Sequence, residues 1–531
     1  MRNKKVKFLA ALLVLMLVLA VACSPSQPDP PDDQDTTPDP DPTPEPDYTI
    51  VVGLPSTIVT LDPANHRDRY TETVVRNIYD GLVTRTPDGT IVPEIASSWT
   101  TNEDATVWDF KIRQDVKFHD GSPLTVEDVK FTFDRSFIEG AMEGETSPRK
   151  GLLGPLESVD IVDDETVRFT FSEPIPPFLM NLNHHQIVSK SYLEAVGSDI
   201  ATKPMGTGPF KFVEGTIDER IVLERFDDYY GGSPDIPNAG PAPAKQVVFD
   251  FIPETATRIA ALQGGQVHII QGLPPTMVPQ LEQDANTEVY VADGTNLFMF
   301  EMNCQMKPFD DKRVRQAMNY AIDIELIVET VLGGYGAVVA TSFLQGEYGL
   351  DESIKPYGYD PEKAKELLAD AGYADGFDLV IDAREDLQDV AQAAASQLQE
   401  IGINASVRGW DMAILREAAL AGERMMTFTS WGNSFLDPTG LTDPKLKTDD
   451  RGNYSRYSNP ELDEILTKAA GLPYSAEREE LYRQAQAIIY EDAPMVFGYV
   501  GSVIEAARVE VEDFEPSIIG RVNLHRVWLR Q

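Results

Sequence analysis

The sequence predicts an α/β fold, and three observations carry that reading. Strand-like and helix-like segments interleave along the chain from Tyr48 onward. The helix-like segments repeat apolar residues every three to four positions, and the strand-like ones alternate. No internal repeat and no long low-complexity segment interrupts this pattern after Asp47.

Taken in chain order, residues 1–22 open with Arg2, Lys4, Lys5 and Lys7 and continue as an apolar run from Phe8 to Ala22. That is the layout of a secretory signal peptide. The run is shorter than the ~20 apolar residues that cross a bilayer. Ala20-Val21-Ala22-Cys23 resembles a bacterial lipobox, with Ala20 where the motif usually carries Leu. The resemblance implies a diacylglycerol on the Cys23 thiol. Residues 23–47 are rich in Pro and Asp and nearly devoid of apolar side chains, so no core can form there. Such a chain favours extended polyproline II, and Ser24 to Asp47 would reach roughly 70 Å. A lipid, a stiff acidic spacer and a globular body together read as a tether from a membrane surface.

In the body, Thr49–Pro55 reads as a short strand with a Gly/Pro stop. Thr71–Val83 places Val74, Val75, Ile78, Tyr79 and Leu82 at helical spacing. Thr106–Arg113 and Asp163–Phe171 alternate as strands. Asp120-Gly121 marks a turn, and Thr125 starts a helix with Asp128 at capping-box distance. Ala256–Gly265 is a helix closed by glycine. Further helices are predicted over Asp311–Asp323, Asp360–Tyr373, Asp389–Ile403, Pro460–Ala470 and Arg478–Asp492.

At 531 residues the chain has room for two to four domains, a core and a cleft. Lys and Arg total 45 against 86 Asp and Glu, a net charge of −41. Nucleic acid is excluded as a partner, because phosphate neutralisation needs a basic face. Of the two cysteines, Cys304 is left as a small hydrophobe. There is no HExxH, CxxC, GxxxxGK or GxSxG, so no enzyme and no cofactor is expected. Gly206–Phe210 (GTGPF) lacks the third glycine of a dinucleotide fingerprint and reads as a tight crossover. His184-His185, read as strand neighbours pointing to opposite faces, do not make a metal pair. His119 is read as a turn residue.

The blocks EIASSWTTNEDATVWDFKIRQDVKFHDGSPLTVEDVKFTFDR, PMGTGPFKF, RFDDYYGGSP, IPETATRIAALQGGQV, PFDDKRVRQAMNYAID, YDPEKAKELLADAGY and NYSRYSNPELDEIL follow one another in a fixed order. In that order they resemble the family 5 extracellular solute-binding proteins, the dipeptide/oligopeptide/nickel-binding group of bacterial ABC importers. The resemblance covers nearly all of the chain after the spacer. It implies a type II (class C) periplasmic-binding-protein-like fold with two lobes, three domains and a Venus-flytrap cleft. Domain I would comprise 48–84, 195–293 and 505–531, domain II 85–194 and domain III 294–504. Solute would be enclosed between the lobes by hinge motion. The expected partners are a small-molecule solute (peptide, oligosaccharide or similar), an ABC permease complex and, through the lipid anchor, a membrane. The protein is expected to be a monomer on the outer face of the cell membrane.

The resemblance also implies where solute binds. The segment SWGNSFLDPTG would lie in the cleft, with Trp431, Gly432, Asn433, Ser434 and Phe435 at the ligand. Peptide-binding members carry an aspartate there that pairs with the peptide ammonium, and Ser434 occupies its position. A serine hydroxyl can bond an amine but cannot neutralise it. Trp410 and Tyr499 match aromatic pocket positions. On the opposite lobe, NHRDRYTETVVRN offers His66, Arg67, Arg69, Thr71 and Glu72, and an arginine fork suits a carboxylate or phosphate. Histidines are too few, and too far from these segments, for nickel.

Overall fold

The computed structural model describes residues 48–86, 89–175, 177–237, 240–434 and 436–530. The signal segment, Cys23, the spacer and Phe435 lie outside the described residues.

Most of the predicted elements form where local chemistry places them. Thr125 caps the Val126–Phe137 helix, and its backbone N–H and hydroxyl both donate to Asp128 Oδ2, at 2.9 and 2.8 Å. The helices Lys312–Ala321, Pro361–Asp370 and Ala476–Asp492 start on Asp311, Asp360 and Ser475, whose side chains accept from first-turn N–H groups. The helix expected over Thr71–Val83 is shorter and runs Arg69–Val75. Asn77 explains the stop: its amide donates to Val522 O at 3.0 Å and its carbonyl accepts from Leu524 N at 3.0 Å. Those partners hold the chain in a turn, after which Val83–Arg85 pairs with Ile91–Pro93. Asp163–Phe171 divides into a hairpin, Leu156–Asp163 against Thr166–Phe171. The GTGPF glycines are needed for close approach. A Cβ on Gly206 or Gly208 would fall 2.2 or 2.6 Å from Ile78 backbone atoms.

The largest sheet has 11 strands among the described residues. One edge to the other, they run Asn404–Trp410, Asp378–Arg384, Met426–Gly432, Thr287–Met302, Met495–Arg508, Ile269–Ile270, Thr49–Leu54, Gln246–Phe251, Arg220–Arg225 and Phe210–Thr216. Gly336–Val338 pairs onto Met495–Arg508. Each half contains parallel pairs: Asp378–Arg384 with both its neighbours, and Thr49–Leu54 with Gln246–Phe251 and Ile269–Ile270. A separate antiparallel sheet orders Ala96–Thr101, Val107–Ile112, Thr166–Phe171 and Leu156–Asp163.

The two long central strands were not foreseen from the sequence. Thr287–Ala292 pairs with Val503–Arg508, and Asn296–Glu301 pairs with Met495–Gly501, with the register broken between Ala292 and Asn296. At this break a Cβ on Gly294 would sit 2.1 Å from Gly501 O, so only glycine lets the backbones pass. Apolar side chains sort into several clusters. Ile50, Val74, Phe249 and Leu524 share one, and Phe110, Phe133, Phe169 and Phe178 another. Phe300, Ala317, Ile381 and Phe428 form a third, and Leu297, Leu441, Tyr482 and Phe497 a fourth. Cys304 packs against the fourth cluster, in keeping with a hydrophobe's role.

Candidate functional site

In α/β sheets, ligands sit outside the carboxyl ends of parallel strands. Two loops leave such ends here. One follows Thr49–Leu54 and carries His66 and Arg67. The other follows Met426–Gly432 and carries Asn433 and Ser434.

The second loop is built on buried bonds. Asn433 is fully buried. Its N–H donates to Thr295 O at 2.8 Å, and its side-chain amide donates to Asp437 O at 2.9 Å and to the Glu347 carboxylate. Asn433 therefore shapes the loop through its backbone and side-chain bonds. Asp437 accepts from both terminal nitrogens of Arg478, at 2.9 and 3.0 Å, in a fully buried pair. Trp431 is half-buried and donates its Nε1–H to Gly440 O at 3.0 Å. The Lys445 and Arg451 cations lie 5.1 and 4.9 Å from its ring centroid. Gly432 is exposed beside Asn296.

Ser434 faces His184. Its Oγ lies 3.5 Å from His184 Nε2. His184 Nδ1 is 2.9 Å from Glu72 Oε1. Burial, the largest influence, drives the His184 pKa down to about 3, so the ring is neutral. Its Nδ1–H donates to Glu72, which leaves Nε2 to accept from the Ser434 hydroxyl. His184 was read from the sequence as structural and on a strand. It lies instead in the turn after the Phe178–Leu182 helix, fixed by His184 N–H on Asn181 O at 3.0 Å. Its neighbour His185 faces Phe133.

Glu72 is a buried anion among cations. Arg76 Nε and Arg521 Nη2 each donate to it at 3.0 Å, and Arg149 Nη2 approaches to 3.5 Å. Burial alone would raise its pKa, but Arg521, His184, Arg76 and Arg149 together hold it well below the usual carboxylate range. Arg149, 1 % exposed, also donates from Nε to His66 O at 2.9 Å, and its Nη2 lies 2.8 Å from His66 Nε2. Burial, then Arg149, drives His66 down to about 3. His66 is thus buried against Arg149. Arg67 is exposed, close enough to Arg451 of the other half for their charges to oppose each other.

Arg85 supplies what the sequence reading missed most. Its Nη2 donates to Met180 O at 3.2 Å, while its buried Nε and Nη1 have no acceptor among the described residues. Arg521 Nε is likewise buried and unpartnered. Burial, followed by the Arg76 and Arg521 charges, lowers Arg85 to about 9. Arg76, Arg85 and Arg521 line one cavity of about 120 Å³. Such donors are costly to leave empty, by about 1–3 kcal/mol each. An acceptor-rich anionic group entering the cavity would satisfy them.

The remaining candidates stand apart from this meeting point. Trp410 donates to Asp382 Oδ1 at 2.6 Å, and Arg408 and Arg424 lie over its ring at 4.9 and 4.7 Å, at the edge of the sheet. Tyr499 is buried and stacks on Phe298 at 4.9 Å between centroids. Arg69 lies against Gly520 and lines a second cavity with Tyr499. Nothing in local sequence marks Arg76, Arg85, Arg149 and Arg521 as a group, since Arg149 lies beyond the first helix by more than sixty residues and Arg521 near the C-terminus. The signals available were the segment NHRDRYTETVVRN, which carries Glu72 and Arg76, and the pair of histidines in NLNHHQIV.

The family model for bacterial extracellular solute-binding proteins, family 5 Middle, matches residues 90–453. The chain is 29 % identical to the glutathione-binding protein GsiB of Pectobacterium atrosepticum over 462 residues, covering 84 % of this chain and 87 % of that protein. Among solved structures it is similar to HbpA2 of Haemophilus parasuis, with TM-score 0.82 and 25 % identity over 91 % of this chain and all of the other. It is also similar to the ABC transporter-associated periplasmic binding protein DppA of Helicobacter pylori in complex with the peptide STSA, with TM-score 0.76 and 29 % identity over 91 % and 98 % of the two chains. Match, coverage and fold agree: the chain belongs to the bacterial extracellular solute-binding proteins of family 5, extracytoplasmic binding proteins of ABC importers and not enzymes.

Proposed function

We propose that the protein captures a peptide-like solute bearing surplus carboxylates between two lobes and presents it to an ABC permease, while tethered to the membrane through a lipid on Cys23. The observation that carries this reading is the set of buried, unpartnered donors on Arg85 and Arg521 beside the Ser434–His184 contact. A carboxylate placed there would complete charge-assisted bonds of the strong kind. Glutathione, the ligand named for the GsiB relative, has this chemistry: two carboxylates against one ammonium. The lobes would be domain I (48–84, 195–293 and 505–531) with domain II (85–194), and domain III (294–504). The break between Ala292 and Asn296, tight at Gly294 and Gly501, supports a hinge there. Ser434, Trp431, Arg67 and Glu72 are the residues closest to solute in this reading.

The test is mass spectrometry of what co-purifies with the full chain, followed by titration calorimetry of glutathione, neutral dipeptides and oligosaccharides. Glutathione or another acidic peptide should bind at least tenfold more tightly than a neutral dipeptide. Preference for oligosaccharides over every peptide would refute the reading. Separately, Cys23→Ala should release the protein from the membrane fraction, and unchanged retention would exclude the lipid anchor.

A further inference from the structure

A second cavity, of about 380 Å³, opens where the two long central strands change register. Its walls are largely apolar: the stacked rings of Phe298 and Tyr499, with Tyr70, Val331, Leu332 and Tyr335. Polar side chains share that lining, among them Thr295, Asn296, Asp386, Asp389 and the two most deeply buried, Glu505 at 1 % and Gln271 at 2 % exposure. The last two are bonded to each other, with Gln271 Nε2 donating to Glu505 Oε1 at 2.6 Å and to Gly520 O at 3.3 Å. That orientation leaves two acceptors, Glu505 Oε2 and Gln271 Oε1, buried with no donor among the described residues. Arg69 also lines the cavity, with its guanidinium packed against Gly520. A pair of orphaned acceptors beside aromatic rings, in a chamber whose lining also carries Asp386 and Asp389, asks for a group that donates at least two hydrogen bonds and carries positive charge. Ser434 cannot neutralise such a group.

We propose that this cavity is a subsite for an ammonium or guanidinium nitrogen carried on an apolar or aromatic body, with Glu505 as counter-ion and the Gln271 carbonyl as second acceptor. The proposal rests on the solute-capture reading above and adds a cationic end to the ligand. Carboxylates go to the arginine cluster and the cationic nitrogen goes to Glu505. The apolar body stacks along Tyr499 and Phe298, where an aromatic face also attracts a cation.

The experiment compares phenethylamine with 2-phenylethanol, which replaces the ammonium by a neutral hydroxyl on the same body. Binding to the full chain is measured by saturation-transfer NMR titration. The wild-type protein should bind the amine at least tenfold more tightly than the alcohol. In Glu505→Gln, with its fold checked by circular dichroism, that ratio should fall below threefold while alcohol binding is unchanged. Leu332→Trp fills the cavity without touching Glu505 and should abolish binding of both probes, which keeps the test decisive if Glu505→Gln fails to fold. A wild-type ratio near one, a ratio retained in Glu505→Gln, or amine binding untouched by Leu332→Trp overturns the subsite. Glutathione titrated in parallel separates the two ideas. If it binds while the amine shows no preference, solute capture stands and the cation subsite falls.

Discussion

Glu72 and Glu505 are both buried carboxylates, and the regions around them push them in opposite directions. Glu72 is ringed by Arg76, Arg149, Arg521 and a neutral His184, and is held well below the usual carboxylate range. Glu505 has Gln271 as its direct partner and Arg69 as a more distant charge, and burial raises it to about 7. One region is a surplus of cations organised around a single anion. The other is an anion short of a cation. The pairing teaches that burial alone does not determine charge state; the count and placement of donors does. It also gives the two ends of a solute opposite places to go.

The strongest way to break the comparison is to remove the anion from the cationic region. Glu72→Ala leaves Arg76, Arg149 and Arg521 facing one another without their shared acceptor. The expected cost is about 3–5 kcal/mol of unfolding free energy, the range for uncompensated buried charge. Urea titration followed by tryptophan fluorescence would measure it. A loss under about 1 kcal/mol would show that solvent or movement relieves the arginines.

A second test sets the two glutamates against pH. The folded pKa of Glu505 lies above its unfolded value near 4.5, so the native state holds the proton more tightly. Its contribution is full below about pH 4.5 and is lost as pH rises to about 7, by roughly 2–3 kcal/mol. The groups facing it are Gln271, Arg69 and Tyr70. Glu72 has the opposite sign: its folded pKa is depressed, so its contribution is present above the unfolded value and lost as pH falls through the folded one. Glu505→Gln should therefore be more stable than wild type at pH 8 and indistinguishable at pH 4.5. Thermal melts across that range would show it, and parallel curves would contradict the raised pKa.

The difference between these regions is also a difference in what one sequence reveals. Local signals were readable: the Thr125–Asp128 capping box, the aspartate caps at Asp311 and Asp360, and the glycine crowding of GTGPF all act over a few residues. The long strands Thr287–Met302 and Met495–Arg508 were not, because their pairing joins segments some two hundred residues apart and their alternation is broken by the register change. The arginine cluster was hidden for the same reason. Glu72 was singled out through the family resemblance of NHRDRYTETVVRN, but Arg149 and Arg521 reach it from remote loops. Ser434 was legible through family resemblance as the position of a missing carboxylate. Its partner His184 was not, since the carboxylate that orients it is Glu72, 112 residues away.

Arg85 offers a sharper, smaller test. Two of its nitrogens are buried and unpartnered, so it contributes little to folding and much to an incoming anion. Arg85→Met keeps an unbranched apolar stem and removes those donors. Stability should hold or rise, by up to a few kcal/mol as the unsatisfied donors are removed, while affinity for an acidic peptide should fall about 10–100-fold, the value of a charged hydrogen bond. Calorimetry of glutathione with wild type and variant distinguishes this from a structural role, in which stability would fall along with affinity.

The smallest effect is expected at the point where the halves touch. The Ser434 Oγ to His184 Nε2 distance of 3.5 Å makes a weak hydrogen bond. Ser434→Ala should therefore cost under about 1 kcal/mol in stability and less than fivefold in acidic-peptide affinity. Ser434→Asp is the informative partner. It introduces the carboxylate that the family resemblance implies at this position in peptide binders, but places it against the His184 acceptor and near Glu72. The neutral ring would then have to take a proton that burial disfavours, driving its pKa down to about 3 in the present sequence. Affinity for acidic peptides should fall further than in Ser434→Ala, and a gain would mean that the ammonium is recognised at this loop and not at Glu505.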